Sequence, residues 1–372
     1  MTSTRDVPPS TRSPDRSDGG VEQGADRPFT PGLPVARLSW RWWLAGWGCL
    51  IAAVLLGVMI GPAGLAPSTI LRALIDGLPG VSLDTGLTER QAAVLWQIRM
   101  PRVVLGALVG GALSLSGAAY QGTFRNPLAD PYLLGVAAGA GLGATVAIAY
   151  FGGSTTLLLP LAAFGGALVG VAATYTLGRS IGGRSGATII LSGVAVASFL
   201  TAIQTFVQQR NDDTLRDVYA WILGRLGTAG WGEVLLILPH LIVAGIVILL
   251  HRRLLDVLAV GEAEADTLGV NAGRVRLTVV LAATLATAAA VAVSGLIGFV
   301  GIIVPHTIRL LAGASYRVIL PLSVLLGGAF LVLADVLART LLSPAELPIG
   351  VVTAFFGAPF FFVVLRTTRR SL

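Results

Sequence analysis

Ten apolar stretches, most of them close to twenty residues long, recur along this chain near positions 42–61, 99–120, 131–151, 157–178, 187–208, 232–250, 275–294, 297–312, 318–338 and 349–366. A stretch of that length matches the hydrocarbon thickness of a bilayer when coiled as a helix. In lipid the backbone must satisfy its own hydrogen bonds, so each stretch is predicted to be a transmembrane helix. Composition agrees. Of 372 residues 54% are hydrophobic and only 12% charged, about half the charged share that keeps a soluble domain's surface wet. The expected fold is an all-α integral membrane protein of about ten spans.

Several spans carry small residues four apart: Gly106 and Gly110, then Gly135, Gly139 and Gly143, then Gly166 and Gly170. This spacing places them on one helix face, where a neighbouring backbone can approach closely. A weak internal echo is also present. Ser116-Gly117 precedes Pro127 as Ser294-Gly295 precedes Pro305. Halves offset by five spans, an odd number, are inverted repeats.

All 26 basic residues are arginine, and the net charge is +7. Without lysine there is no P-loop to reach ATP phosphates and no Schiff base, so any ATP-driven step needs another subunit. With the N-terminus inside, eighteen arginines fall on the inner side. Eight stay outside: Arg72, Arg90, Arg99, Arg102, Arg210, Arg216, Arg225 and Arg339. The positive-inside rule selects this topology, with both termini cytoplasmic. Residues 1–38, rich in Ser, Thr, Pro, Asp, Arg and Gly, read as a disordered cytoplasmic arm ahead of a permease domain at 39–372. The arm is not a signal peptide, because its apolar segment starts late and many others follow.

Catalytic and metal chemistry find little footing. The single cysteine, Cys49, supports no disulfide framework or thiolate site. His240, His251 and His306 are far apart and outside any metal signature. No metal site, resident cofactor or nucleic-acid partner is expected. A secondary transporter would place an acidic residue near mid-membrane, whereas Asp130 and Asp335 lie near span ends. A channel would need a filter loop or charged ring.

Two connections stand out. Gln121–Gly135 reads Q-G-T-F-R-N-P-L-A-D-P-Y-L-L-G. Its two prolines stop a helix, and Asn126 and Asp130 cap the turn. The loop 251–276 mixes Asp256, Glu262, Glu264 and Asp266 with flanking arginines and leucines. The pattern predicts two short helices hinged at Gly261, the second ending at Gly269. Such a loop either docks a soluble partner or is simply solvated. The fifth span carries Ser198, Thr201, Gln204, Thr205 and Gln208. Ser198, Thr201, Thr205 and Gln208 form a stripe that faces either water or a partner helix.

These motifs, in this order, resemble the FecCD family of ABC importer permeases from about residue 40 onward. The resemblance rests on R-M-P-R at 99–102, R-N-P-L-A-D-P-Y-L-L-G at 125–135 and L-G-V at 268–270. It continues through S-G-L-I-G-F-V-G-I-I-V-P-H-T-I-R-L at 294–310, A-D-V-L-A-R at 334–339 and E-L-P-I-G-V-V-T-A-F-F-G-A-P-F-F at 346–361. It implies a type II importer fold of two inverted five-helix halves, in the bacterial or archaeal plasma membrane. It implies a second permease copy forming a homodimer, a cytoplasmic ABC ATPase dimer and an extracytoplasmic substrate-binding protein. The cargo would be a metal chelate: iron-siderophore first, cobalamin or haem as alternatives. Carried onto this sequence, the pattern assigns ATPase coupling to Gly261, Glu262, Ala265, Thr267, Leu268 and Gly269. It assigns binding-protein docking to Arg99, Arg102 and Arg339, and makes the fifth span's polar stripe the translocation pathway. It places a cytoplasmic gate at Ser185, Gly186 and Ala187, where the Gly-Ala pair departs from relatives that carry hydroxyl residues.

Overall fold

Each apolar stretch coils into a helix, and the helix ends fall where capping chemistry puts them. The computed structural model describes residues 38–61, 64–77, 79–80, 82–152, 157–181, 186–227 and 230–368. The proposed arm at 1–38 lies outside these residues but for its last position. Ten helices of 13 to 25 residues occupy the ten expected spans: α1 Trp40–Met59, α2 Met100–Phe124, α3 Val136–Phe151, α4 Leu158–Ser180 and α5 Gly186–Gln209, then α6 Trp231–Leu250, α7 Ala272–Ser294, α8 Val300–Ala312, α9 Tyr316–Thr340 and α10 Ile349–Thr368. No strand occurs among the described residues. Seven of the ten are long and apolar enough to cross a membrane, and α3, α8 and α10 are shorter apolar helices.

The centre of the bundle is α2 against α7. Around that pair, α2 packs on α8 and α9, while α7 packs on α3 and α4. The two five-helix halves thus exchange equivalent partners, as an inverted repeat requires. Small residues permit the contacts. A Cβ on Gly110 would strike the Gly327 carbonyl across the α2–α9 seam, and one on Gly139 would strike that of Gly166 between α3 and α4. Without a hydrophobic drive between helices in lipid, such close dispersion contact holds them together.

The repeat is real, but its sequence marker is not the Ser-Gly and Pro echo. Ser116 and Gly117 lie inside α2, whereas Ser294 ends α7 and Gly295 caps it. Pro127 sits in a turn, whereas Pro305 is inside α8. The structural equivalents are the lead-in segments of α3 and α8. Gly135 and Phe299 each take a left-handed conformation just before those helices. Gly193 of α5 and Gly357 of α10, equally spaced from them, receive those segments. A Cβ on Gly193 would hit the Leu133 carbonyl, and one on Gly357 the Phe299 ring. The Tyr132 hydroxyl ties the two lead-ins together, donating to the Ile297 carbonyl and accepting from the Ile297 amide, both at 3.0 Å. Gly301, near the start of α8, meets Gly117 well inside α2. Starting within the bundle explains why α8 needs only 13 residues.

Three short helices were not anticipated. Pro67–Asp76 and Glu89–Ala93 lie between α1 and α2, and Leu215–Ile222 follows α5. Their apolar residues are too few to stand out beside the spans. Each still buries a side or caps a turn: Ile70 and Ala73 in the first, Thr88 capping the second, Val218 and Trp221 in the third.

Candidate functional site

Helix directions define two ends of the bundle. Gly46 and Gly57 of α1 meet Leu325 and Val332 of α9, so these helices run parallel; Gly110 and Gly122 of α2 meet Gly327 and Tyr316, so α2 runs against them. One end therefore gathers the C-terminus of α1, the N-terminus of α2 and the C-terminus of α9.

The three arginines assigned to docking sit at this end, and all are buried: Arg99 is 4% exposed, Arg102 8% and Arg339 3%. Arg102 is the hub. Its Nε donates to both Asp335 oxygens at 3.1 Å and its Nη2 to Oδ1 at 2.8 Å. The other edge of the guanidinium donates to Glu346, Nη1 to Oε1 at 2.9 Å and Nη2 to Oε2 at 3.0 Å. This double fork uses all the planar geometry that distinguishes arginine. Arg339 lies 3.6 Å from Asp335, its i,i+4 neighbour on α9, and donates to the Gly57 carbonyl. Arg99 donates to the Val58 carbonyl at 3.2 Å. Both carbonyls belong to the end of α1, where unpaired acceptors and the helix dipole favour a cation. Arg99 ends a π-helical turn, Val94–Arg99, that leads into α2. Exposed rim cations or lipid snorkelling do not describe these side chains. They join α1, α2 and α9 from inside. The exposed member of the cluster is Glu346, whose side chain is 43% exposed. A cavity of about 400 Å³ opens beside it, with Arg102, Arg225, Asp335 and Pro348 in its wall. The sequence held a signal for this pairing: Arg102 and Asp335 are ionisable groups of opposite sign at span ends, and such groups seek one another.

At the opposite end lie the start of α9 and the loop after α6. The loop forms two short helices, Arg252–Val260 and Glu262–Thr267, hinged at Gly261 as expected. Leu255, Leu258, Gly261 and Ala265 face inward. Asp256, read from sequence as one charge in a mixed run, is a clamp. It accepts from the Tyr316 amide at 2.6 Å and the Ser315 hydroxyl at 2.9 Å, and pairs with Arg317 at 3.3 Å. It thereby caps α9. Of the residues assigned to coupling, Gly261 and Ala265 are buried, while Thr267, Leu268 and Gly269 are exposed. The Glu262 side chain lies outside the described residues. Gly269 is left-handed, at φ 74°, a conformation glycine takes without a Cβ penalty. Leu268 is 69% exposed and Val260 72%. Val260 was not singled out from the sequence.

The polar residues of α5 divide. Ser198, Thr201 and Thr205 are exposed along one face, beside Phe199 and Phe206. Gln204 and Gln208 are buried, Gln204 against Gly141 of α3. The stripe read from spacing thus loses Gln208, because a long amide is better satisfied inside the bundle than a hydroxyl that can bond its own i−4 carbonyl. Ser198 and Thr205 do bond that way, each at 2.9 Å. Ser185 lies outside the described residues. Gly186 and Ala187 open α5, and only their backbone is described.

The model of the FecCD transport family matches residues 49–367. The chain belongs to the FecCD transport family. It is a multi-pass ABC importer permease, and ATP hydrolysis resides in a separate subunit. The permease is 39% identical over 355 residues to the cobalamin import permease BtuC of Halobacterium salinarum, covering 87% of this chain and 95% of that one. It is 35% identical over 330 residues to the iron(3+)-hydroxamate import permease FhuB of Bacillus subtilis, covering 88% and 84%. Among solved structures, a metal-chelate type ABC transporter in an inward-facing conformation superposes with a TM-score of 0.74 at 29% identity, covering 88% of the permease and 99% of that chain. The type II importer fold expected from the motifs is the fold observed.

Proposed function

We propose that this permease imports an iron-siderophore complex across the plasma membrane. It works as a homodimer, with both termini cytoplasmic, above two copies of a cytoplasmic ABC ATPase. A substrate-binding protein delivers cargo from outside. The observation that carries the coupling half of this reading is the pair Val260 and Leu268. Val260 ends the first short helix and Leu268 follows the second, both exposed apolar side chains where the helices' other faces are packed. Apolar side chains so presented at the end of a membrane protein fit a groove on a soluble partner. Thr267 and Gly269 share that surface, Gly261 and Ala265 fix the geometry of the short helix, and Glu262 begins it.

At the other end, the binding protein docks over the cavity beside Glu346, with Arg102 in the cavity wall and Arg99 and Arg339 bracing that surface from inside. The pathway runs along Ser198, Thr201 and Thr205 of α5, with the gate at residues 185–187. Hydroxyls and rings make a weakly polar wall, suited to a large organic chelate more than to a bare ion. A corrinoid or haem is the second reading, favoured by the higher identity to the cobalamin permease, 39%, and to a hemin permease of Yersinia pestis, 40%, than to the hydroxamate permease, 35%. The test is uptake in a host stripped of its own systems, with the permease, its ATPase and its binding protein expressed together. Radio-iron ferric hydroxamate should accumulate, with labelled cyanocobalamin not exceeding background. The reverse result would assign the corrinoid.

A further inference from the structure

A second concave site lies on the flank of the bundle, away from the pathway, the coupling loop and the arginine cluster. It is a crevice of about 490 Å³ between α1 and α6, with α2 at its back. Trp47, Leu50 and Val54 form one wall, and Leu238, Gly245 and Leu249 the other. Its lining is wholly apolar, and both walls are helices long and apolar enough to span the membrane. Hydrocarbon, not water, is the solvent at this depth.

The crevice has a defined length and a defined polar end. From Leu238 to Leu249 helix α6 rises about 16 Å at 1.5 Å per residue, roughly half of a 30 Å hydrocarbon core and so the depth of one leaflet. Gly122 near the C-terminus of α2 touches Leu255, just past the end of α6, and also Tyr316. The C-terminus of α6 therefore lies at the same end of the bundle as the N-termini of α9 and α1. Immediately beyond Leu249 come Arg252 and Arg253, and beyond Trp47 comes Arg41. All three arginines are exposed. Trp40, Trp43 and Trp47 form one stripe leading to the crevice, by their helical spacing, and all three are exposed. Tryptophan at such a level marks the membrane–water boundary. Asp256, the nearest carboxylate in the short helix that Arg252 begins, is engaged by Tyr316, Ser315 and Arg317.

We propose that this crevice binds one anionic phospholipid, with an acyl chain lying between α1 and α6 and its phosphate at Arg41, Arg252 and Arg253. The match is of depth and of charge: an apolar slot about one leaflet deep, and three exposed guanidiniums on the same two helix ends, at one end of the bundle. Juxtamembrane basic residues draw anionic lipid by charge, and the walled slot adds a fixed position for one chain.

The experiment is lipid titration of the purified permease in detergent, counting bound lipids by native mass spectrometry. Phosphatidylglycerol and phosphatidylcholine with identical chains are the probes. One phosphatidylglycerol should bind about tenfold more tightly than phosphatidylcholine, as expected for several cations at the headgroup. The R41Q/R252Q/R253Q triple variant should bind the two lipids equally. Gly245→Leu fills the slot and should weaken both lipids. A Cβ there meets only Leu115, at 3.9 Å, and leucine favours the helix. Ile242→Trp, also in the wall, is a second filling variant should the first misfold. Equal affinity of the parent for both lipids would overturn the proposal, as would undiminished phosphatidylglycerol binding by a folded filling variant. Displacement by millimolar inorganic phosphate would reduce the site to an anion site. Loss of a dimer mass in the filling variants, with lipid binding intact, would make the crevice a helix-docking face instead.

Discussion

The two ends of this bundle solve opposite problems. At one, four charged side chains, Arg99, Arg102, Asp335 and Arg339, are folded inward, and Arg102 is shared between buried Asp335 and exposed Glu346. At the other, apolar Val260 and Leu268 are turned outward while Asp256 is spent on capping α9. The first end has charge where exposure would be cheap, and the second has hydrocarbon where burial would be cheap. An end that inverts the usual placement inward is holding the fold; an end that inverts it outward is presenting a surface. The comparison teaches that residue type alone does not separate side chains that brace the fold from side chains left free, whereas the partners of each side chain do.

The contrast breaks most visibly at Arg102. Arg102→Ala leaves Asp335, a buried carboxylate, with only the longer Arg339 contact, and removal of one member of a buried pair costs about 3–5 kcal/mol. Melting in detergent and the amount of folded protein in membranes should both fall sharply. Arg102→Met with Asp335→Leu and Arg339→Met should recover much of the loss, because a matched apolar set leaves neither Asp335 nor Arg339 as a stranded charge. A parent-like melting temperature for the single variant would show that the cluster does not hold this end together.

Asp256 tests the other end with a smaller expected effect. Asp256→Ala removes a helix cap and leaves the Tyr316 amide without its acceptor, at a cost of about 1–2 kcal/mol. The drop should appear in the same melting assay and should be partly restored by Asp256→Asn, which keeps an acceptor. No change would mean that α9 is capped adequately by Ser315, whose hydroxyl accepts from the Arg317 amide at 3.3 Å.

Glu346 should matter less for stability. Its side chain is 43% exposed, so solvent screens its pairing and Glu346→Gln should cost less than about 1 kcal/mol. Transport measured at limiting binding protein should change more than melting does. A large stability loss would place Glu346 among the structural charges instead of at the docking edge.

How much of this was legible follows from what each feature depends on. The spans were legible because the membrane imposes length and apolarity on one contiguous segment. The turn at Asn126 and Asp130 was legible because capping is local: Asn126 accepts from the Leu128 amide at 2.9 Å and Asp130 from the Tyr132 amide at 2.8 Å. The Arg102 pairing was not, since its partners are more than two hundred residues away in sequence. Positive-inside counting treats every outer arginine as exposed, and three of the eight are buried. The stripe on α5 was half legible. Helical spacing put Ser198, Thr201 and Thr205 together correctly, but the side chain of Gln208 turns inward, which spacing does not report. The repeat was sensed through the wrong residues, because, of its true markers, Gly135 and Phe299 share only a left-handed backbone, and Gly193 and Gly357 are two glycines among many.

The smallest effect on the fold should come with the clearest effect on coupling. Leu268 is 69% exposed and Val260 72%, so replacing either with serine removes little that is buried, and melting should stay within about 0.5 kcal/mol of the parent. If these side chains seat in the ATPase, the Leu268→Ser, Val260→Ser pair should weaken its association by about tenfold or more, since truncating an apolar anchor at an interface commonly costs over 1 kcal/mol. Uptake should fall while hydrolysis by the free ATPase is untouched. The control is Ala265→Ser, in the same short helix but buried; it should lower melting before it lowers association. Should the paired serine variant transport at the parent rate with unchanged ATPase affinity, the outward apolar side chains would be ordinary surface. The difference between the two ends would then be one of packing alone.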